Sequence, residues 1–185
     1  MVKTILESIG EKVGVIGTVG NYIDGETIPS INTTPNPFYL NELFAKMRDK
    51  GCKYVIMEVS SHALDREYLY GFNFRVAMFT NLTQDHLDYH GDMENYYKAK
   101  RKLFEICDCA VLNKDDKYAN RLLEEVNCKT VTYSIDKAGD GKAQAFGNWL
   151  SEFVMNVLVQ PLHAIIYLVF SIFAIIVNYC GLLLR

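Results

Sequence analysis

The stretch TNLTQDHLDYHGDMENYYKAK, residues 80–100, holds three Asp, two His, one Glu, three Tyr and two Lys. It follows directly on the apolar run VAMF. Carboxylates and imidazoles grouped in this way can move protons or ligate a cation. A further carboxylate, Glu58, stands near the end of another apolar run, KYVIMEV (53–59). Asp85, His86 and Asp88 follow RVAMFTNL (75–82), whose end lies near Asn81. If both runs are strands of one parallel sheet, their carboxyl ends present a carboxylate and an imidazole to the same edge, where ligands bind in such sheets. The same residues also fit a plainer role, with Asp85 or Asp88 capping the next helix and the histidines as surface groups. Residue type and spacing alone leave both open.

The elements that would position these groups are legible as a pattern. VGVIGTV (13–19), CAVLN (109–113) and KTVTYSI (129–135) add three more apolar runs of the kind that suits strands buried on both faces. Helical periodicity lies between the runs. FYLNELFAKMRDKG (38–51) has apolar residues at 40, 43, 44 and 47 and ends on Gly. MENYYKAKRKLFEI (93–106) repeats that period, and DDKYANRLLEEV (115–126) opens with Asp, a good cap. Strand alternating with helix predicts an α/β fold, a doubly wound, mostly parallel sheet.

The charge is unevenly spread. The chain has 185 residues and a net charge of −3, yet only Glu152 and Arg185 are charged after Lys142. Residues 1–136 read as one mildly acidic domain with no basic stripe for nucleic acid. Five Cys, with no CxxC pair, read as reduced thiols. The N-terminus has no cleavable signal pattern. Residues 137–152, small and polar, read as a linker to an apolar tail, 153–185. From His163 to Leu184 there are 22 residues without Asp, Glu, Lys or Arg. As a helix they would rise about 33 Å, enough to cross the ~30 Å hydrocarbon layer. A membrane anchor is therefore expected over 163–184, with the domain on the cytoplasmic side. Lys137 and Lys142 give the weak orientation signal.

Five motifs in order, GTVGNYIDG (17–25), NTTP (32–35), MEVSSHAL (57–64), FTNLTQDHLDYHG (79–91) and YYKAKRKLF (96–104), resemble the central domain of the Mur ligases over residues 1 to about 135. The likeness is to the branch that adds the third amino acid to UDP-N-acetylmuramoyl-L-alanyl-D-glutamate in peptidoglycan synthesis. Such enzymes activate a carboxylate with ATP as an acyl phosphate, which an amine then opens. The resemblance implies that Glu58 and His86 bind Mg²⁺, and that Lys100 is carbamylated and joins them as a ligand. It also implies that Thr33, Thr34, Ser60 and the nearby Arg66 hold the UDP-muramyl-peptide. Magnesium prefers oxygen ligands and leaves room for phosphates and water. Carbon dioxide adds only to a neutral amine, so Lys100, with an ordinary pKa of ~10.4, must first lose a proton, helped by burial and nearby cations.

The chain departs from the family's pattern at two points. No G-x-x-x-x-G-K-[ST] phosphate loop occurs in it; GDGKA (139–143) lacks the hydroxyl residue. The flanking uridine-binding and amino-acid-binding domains of the family are likewise not expected in these residues. Where relatives carry an Arg eight residues after the first Ser of SSHAL, this chain has Tyr68. Three readings follow: an amide ligase that needs parts supplied from elsewhere, a membrane-tethered module that binds without catalysing, and a truncated or fused reading frame.

Overall fold

A computed structural model describes residues 1–134 and the backbone of Ile175–Asn178. In chain order the elements are α1 (Val2–Ser8), β1 (Val13–Ile16), β2 (Asn21–Ile23), β3 (Glu26–Ile28), α2 (Pro37–Asp49), β4 (Tyr54–Met57), α3 (Ser61–Asp65), β5 (Ala77–Phe79), α4 (Leu87–His90), α5 (Met93–Arg101), a 3₁₀ turn over Lys102–Glu105, β6 (Cys109–Asn113), α6 (Lys117–Glu125), β7 (Lys129–Tyr133) and β8 (Ile175–Asn178).

Each of the five apolar runs contains a strand: β1, β4, β5, β6 and β7. β6 fills its run, and the other four strands are shorter than theirs; the residues past β1, β4 and β5 leave the sheet to form the loops of the site. Parallel pairing joins β1 to β4, β5 to β6 and β6 to β7. The expected alternation of strand and helix is present. Two features differ from one continuous parallel sheet. Among the described residues the strands form two sheets, ordered β3-β2-β1-β4-β8 and β5-β6-β7. The first sheet also carries an antiparallel hairpin, β2–β3. Its turn is Asp24-Gly25, with φ of 50° and 84°. That pair of positive φ values is what a two-residue turn between twisted strands requires.

Helix α2 buries Leu40, Leu43, Phe44 and Met47, one stripe at helical spacing. It lies directly on β1, where a Cβ at Gly14 would collide with the Met47 side chain. Asn36 caps its start, accepting from Tyr39 N at 3.1 Å, and Pro37 occupies the first turn. Helix α5 buries Tyr96, Tyr97, Ala99 and Lys100. From its other side the Arg121 guanidinium of α6 forks onto Glu94 at 2.6 and 2.9 Å and reaches Glu125 at 2.8 Å. Glu125 also accepts from the Tyr97 hydroxyl at 2.9 Å. Both faces of α5 are thus held.

The linker expected at 137–152 lies outside the described residues. So does most of the membrane helix expected at 163–184. Over Ile175–Asn178 the expectation is corrected: the backbone is a strand, antiparallel to β4, with Tyr54 opposite Asn178 and Met57 opposite Ile175. It also runs beside β5. The β-branched run Ile175-Ile176-Val177 suits extended backbone, and the edge of β4 offers it unpaired N–H and C=O groups. No described helix is long and apolar enough to cross a membrane.

Candidate functional site

The site is built where β1, β4 and β5 end. Glu58 is the first residue past β4, and its backbone N–H still donates to Ile16 O at 2.9 Å, extending the ladder by one step. Its Oε2 accepts from Thr18 N at 2.8 Å and from the Thr18 hydroxyl at 2.7 Å. Thr18 Oγ1 lies 2.9 Å from Thr33 Oγ1. The carboxylate can approach the loop after β1 because residue 17 is Gly; a Cβ there would stand 3.1 Å from the Glu58 carboxyl carbon. Thr34 works on the backbone. Its hydroxyl donates to Glu58 O at 2.9 Å and accepts from Ser60 N at 2.8 Å, splinting the exit from β4. Ser60 caps α3, its Oγ accepting from Ala63 N at 3.2 Å, which leaves its own hydroxyl proton to be donated.

Thr33, Thr34 and Ser60 line a cavity of about 340 Å³, within the range of small-ligand sites. Thr33, Thr34, Ser60, Arg66 and His86, all expected at the site, share its wall. Asn32, His62, Ala63 and Tyr68 complete it among the described residues. The Arg66 guanidinium sits 5.5 Å from the Tyr89 ring centre, and the Tyr89 hydroxyl donates to Asp65 at 3.0 Å. His62 packs against His86, Tyr89 and His90, with ring centres 5.0, 4.1 and 5.6 Å away. Burial, then the neighbouring His86 and Arg66, pushes the His62 pKa below the usual imidazole value. His90 is lowered likewise, by burial first and then by His62. It is held by Ser61 Oγ, 2.9 Å from its Nε2.

His86 is held in the left-handed region at φ 52°, an uncommon conformation for a residue with a side chain. Its N–H donates to Asp85 Oδ1 at 2.8 Å, and its Nε2 lies 3.5 Å from Asp85 Oδ2. Its ring stands 6.0 Å from that of Tyr96, edge-on. Lys100 Nζ lies 5.5 Å from the same Tyr96 ring. Lys100 is only 1% exposed. Burial drives its pKa well below the ordinary lysine value, against the opposing pull of Asp85. Tyr96 is pushed up to about 12, by burial and then by Asp85.

The structure therefore gathers five of the expected residues on one cavity wall, puts Glu58 behind Thr33 through Thr18, and ties Lys100 to His86 through Tyr96. Among the described residues no three Asp, Glu, His or Cys side chains stand close enough to hold a metal by themselves. Thr18 and His62 were missed from sequence, although both lie inside the quoted motifs. Thr18 follows Gly17 in GTVG, and His62 is the centre of SSHAL.

The Mur ligase middle domain matches residues 1–161. A UDP-N-acetylmuramoyl-L-alanyl-D-glutamate--2,6-diaminopimelate ligase of Clostridium tetani is 48% identical over 145 residues, covering 78% of this chain and 30% of that protein. The ligase of the same name from Caldanaerobacter subterraneus subsp. tengcongensis is 44% identical over 161 residues, covering 86% of this chain and 33% of its own. A solved structure of a UDP-N-acetylmuramoyl-L-alanyl-D-glutamate--2,6-diaminopimelate ligase superposes with a TM-score of 0.65 at 31% identity, over 74% of this chain and 29% of that one. The chain spans about three-tenths of the length of the relatives it matches. On this likeness, and on the motifs that build the cavity, the chain belongs to the Mur ligase family through its middle domain.

Proposed function

We propose that this domain carries the muramyl-peptide half of an amide-ligase site, serving the step that joins a third amino acid to UDP-N-acetylmuramoyl-L-alanyl-D-glutamate. The cavity is the observation that supports this most. Its wall sets the Arg66 cation beside hydroxyls of Thr33 and Ser60 and the imidazoles of His62 and His86. A carboxylate-bearing peptide fits that chemistry, since a guanidinium holds a carboxylate through charge-assisted hydrogen bonds. Arg66 stands in for the arginine that relatives carry at the position of Tyr68. In the proposed reaction the substrate carboxylate attacks the terminal phosphate of ATP and expels ADP. The amine then attacks the acyl carbon and expels phosphate, leaving an amide.

Lys100 is the residue we assign to carbamylation. Its burial favours the neutral amine, whose lone pair adds to carbon dioxide while one proton leaves to solvent. The product is a carboxylate-like anion in place of a buried neutral amine. Mur ligases use magnesium, and the carboxylate and carbamate oxygens here suit a hard cation, with the His86 imidazole a less usual donor for it. Both hydrogen bonds to Glu58 fall on Oε2, which leaves Oε1 for a metal, with His86 and a carbamate oxygen of Lys100 as the other donors. Bound magnesium would offset phosphate charge. The 185 residues contain no G-x-x-x-x-G-K-[ST], so catalysis needs a phosphate cradle from outside them, and these residues by themselves bind without turning over.

The domain boundaries at 136 and 152, the membrane tether and the cytoplasmic setting rest on sequence pattern and on the nucleotide nature of the substrates. A helix over 163–184 and strand β8 exclude one another at 175–178. Carbonate extraction of expressing cells separates them: a chain with β8 paired is released, and an inserted helix stays in the pellet.

The main reading is tested by calorimetric titration of the full chain with UDP-N-acetylmuramoyl-L-alanyl-D-glutamate. The expected result is saturable binding, weakened about 10-fold or more by Arg66→Ala, the loss of one charge-assisted hydrogen bond. No heat of binding to the folded wild-type chain would overturn it.

A further inference from the structure

Away from the site, at the opposite end of the three-stranded sheet, three cysteines gather where β6 and β7 begin. Cys107 pairs as a bridge with Phe74 just before β6, and Cys128 immediately precedes β7. Their sulfur atoms are 3.6 Å apart. Cys109 heads β6 opposite Lys129. Neighbouring strands lie ~4.8 Å apart, and disulfides bridge Cα atoms separated by about 4.4–6.8 Å. Cys107 and Cys128 stand just ahead of β6 and β7, one step out of the register that pairs Cys109 with Lys129; their side chains already converge, and closing from 3.6 Å to the ~2.0 Å bond length asks for a small movement. Both sulfurs open on a cavity of about 460 Å³, flanked by Arg101, Glu105 and Glu125, large enough to admit a small oxidant.

We infer that Cys107 and Cys128 form a reversible disulfide when a low-molecular-weight disulfide is present, clamping β6 to β7. Cys128, the more exposed of the two, attacks first as a thiolate. Its sulfur bonds to one sulfur of the small disulfide, and the other leaves as a thiolate. Cys107 then gives up its proton and attacks the Cys128 sulfur, releasing the second small thiolate. Two protein thiols lose two electrons, the small disulfide gains them, and two small thiols carry away the protons. Cys107 is the slower partner. Its thiol is pushed up to about 12, by burial first and then by its hydrogen bond with Cys128, so it acts in the second, intramolecular step. The bond would tie residues 21 apart in sequence at the amino ends of β6 and β7, leaving the carboxyl-end cavity untouched.

The test treats the full-length chain with oxidised glutathione, counts free thiols and maps linked peptides after cleavage before Asp108, which separates Cys107 from Cys109. The expected result is loss of two of the five thiols, a Cys107–Cys128 link and a Tm higher by about 5–10 °C, as closing a loop of this size predicts. Reductant restores all three readouts. Cys128→Ser abolishes the link, and Cys52→Ser and Cys109→Ser leave it intact. A link through Cys109 or Cys180, a glutathione adduct that persists on Cys128, or an unchanged Tm in the linked chain would overturn the inference.

Discussion

Lys100 shows how one residue's chemistry depends on its neighbours. In sequence it sits among Lys98, Arg101 and Lys102 and looks like part of a solvated basic face. In the fold it shares the buried face of α5 with Tyr96, Tyr97 and Ala99. Its burial was legible only through the motif, because charge patterning pointed the other way. Burial has a consequence for stability. The unfolded chain binds the Lys100 proton up to a pH of ~10.4, whereas the folded chain releases it well below that. Between those two values the unfolded state holds more protons, so stability rises with pH, by at most ~1.4 kcal/mol per unit from this one group. Below the folded value the loss levels off. In buffer free of carbon dioxide, urea unfolding of wild type and Lys100→Met should therefore diverge as pH falls from about 10 towards neutrality, with the variant the more stable. Parallel curves would show that the amine is not buried neutral.

Among the elements, α6 carries a joint that the pattern only half announced. The sequence expects a cap from the Asp that opens DDKYANRLLEEV; the cap is the second of its two Asp, Asp116, accepting from Tyr118 N at 2.7 Å and Ala119 N at 3.1 Å. Its other oxygen accepts from Leu82 N at 3.2 Å, in the segment that leads from β5 to His86. One carboxylate thus fixes both a helix start and the approach to the site. Asp116→Ala should lower stability by about 1–2 kcal/mol, the cost of a lost cap, and Asp116→Asn by less, since one acceptor remains. Denaturant midpoints at equal slope measure it. The apolar runs and α2 were readable because local period and burial agree there; β6 has the bounds its run gave. The β2–β3 hairpin was passed over because NYIDGETI is short and polar, although its Asp-Gly pair carries a hairpin signal. The division into two sheets was not readable at all. It depends on which strand lies beside β4, a contact between distant segments that no local pattern encodes.

For the molecule as a whole, binding and turnover should separate. The cavity residues are present, and a phosphate loop is not among the 185 residues. Titration of the chain with a fluorescent ATP analogue and magnesium should give no micromolar binding, because the backbone N–H groups that cradle phosphates come from such a loop. Micromolar affinity would mean that another element holds the nucleotide. Of the cavity's wall, Thr33, Thr34, Ser60, Arg66 and His86 were named from the sequence, whereas Asn32, His62, Ala63 and Tyr68 also line it and Glu58 and Lys100 stand off it; which motif neighbours turn inward depends on the loop paths after β1 and β4, which local pattern does not encode.

The antiparallel seating of β8 on β4 also leaves a mark on individual amide protons. Glu58 N donates to Ile16 O at 2.9 Å and Tyr54 N reaches Lys12 O at 3.4 Å, so the amides of Tyr54, Ile56 and Glu58 face β1. Those of Val55 and Met57 point the other way, towards β8. Hydrogen–deuterium exchange can thus read the two flanks of one strand separately. With β8 in place, Val55 and Met57 should exchange as slowly as their neighbours. In a chain cut after residue 134 those two alone should speed up, while Ile56 keeps its protection. Equal exchange of Val55 and Met57 in both chains would mean that β8 does not pair with β4 in solution.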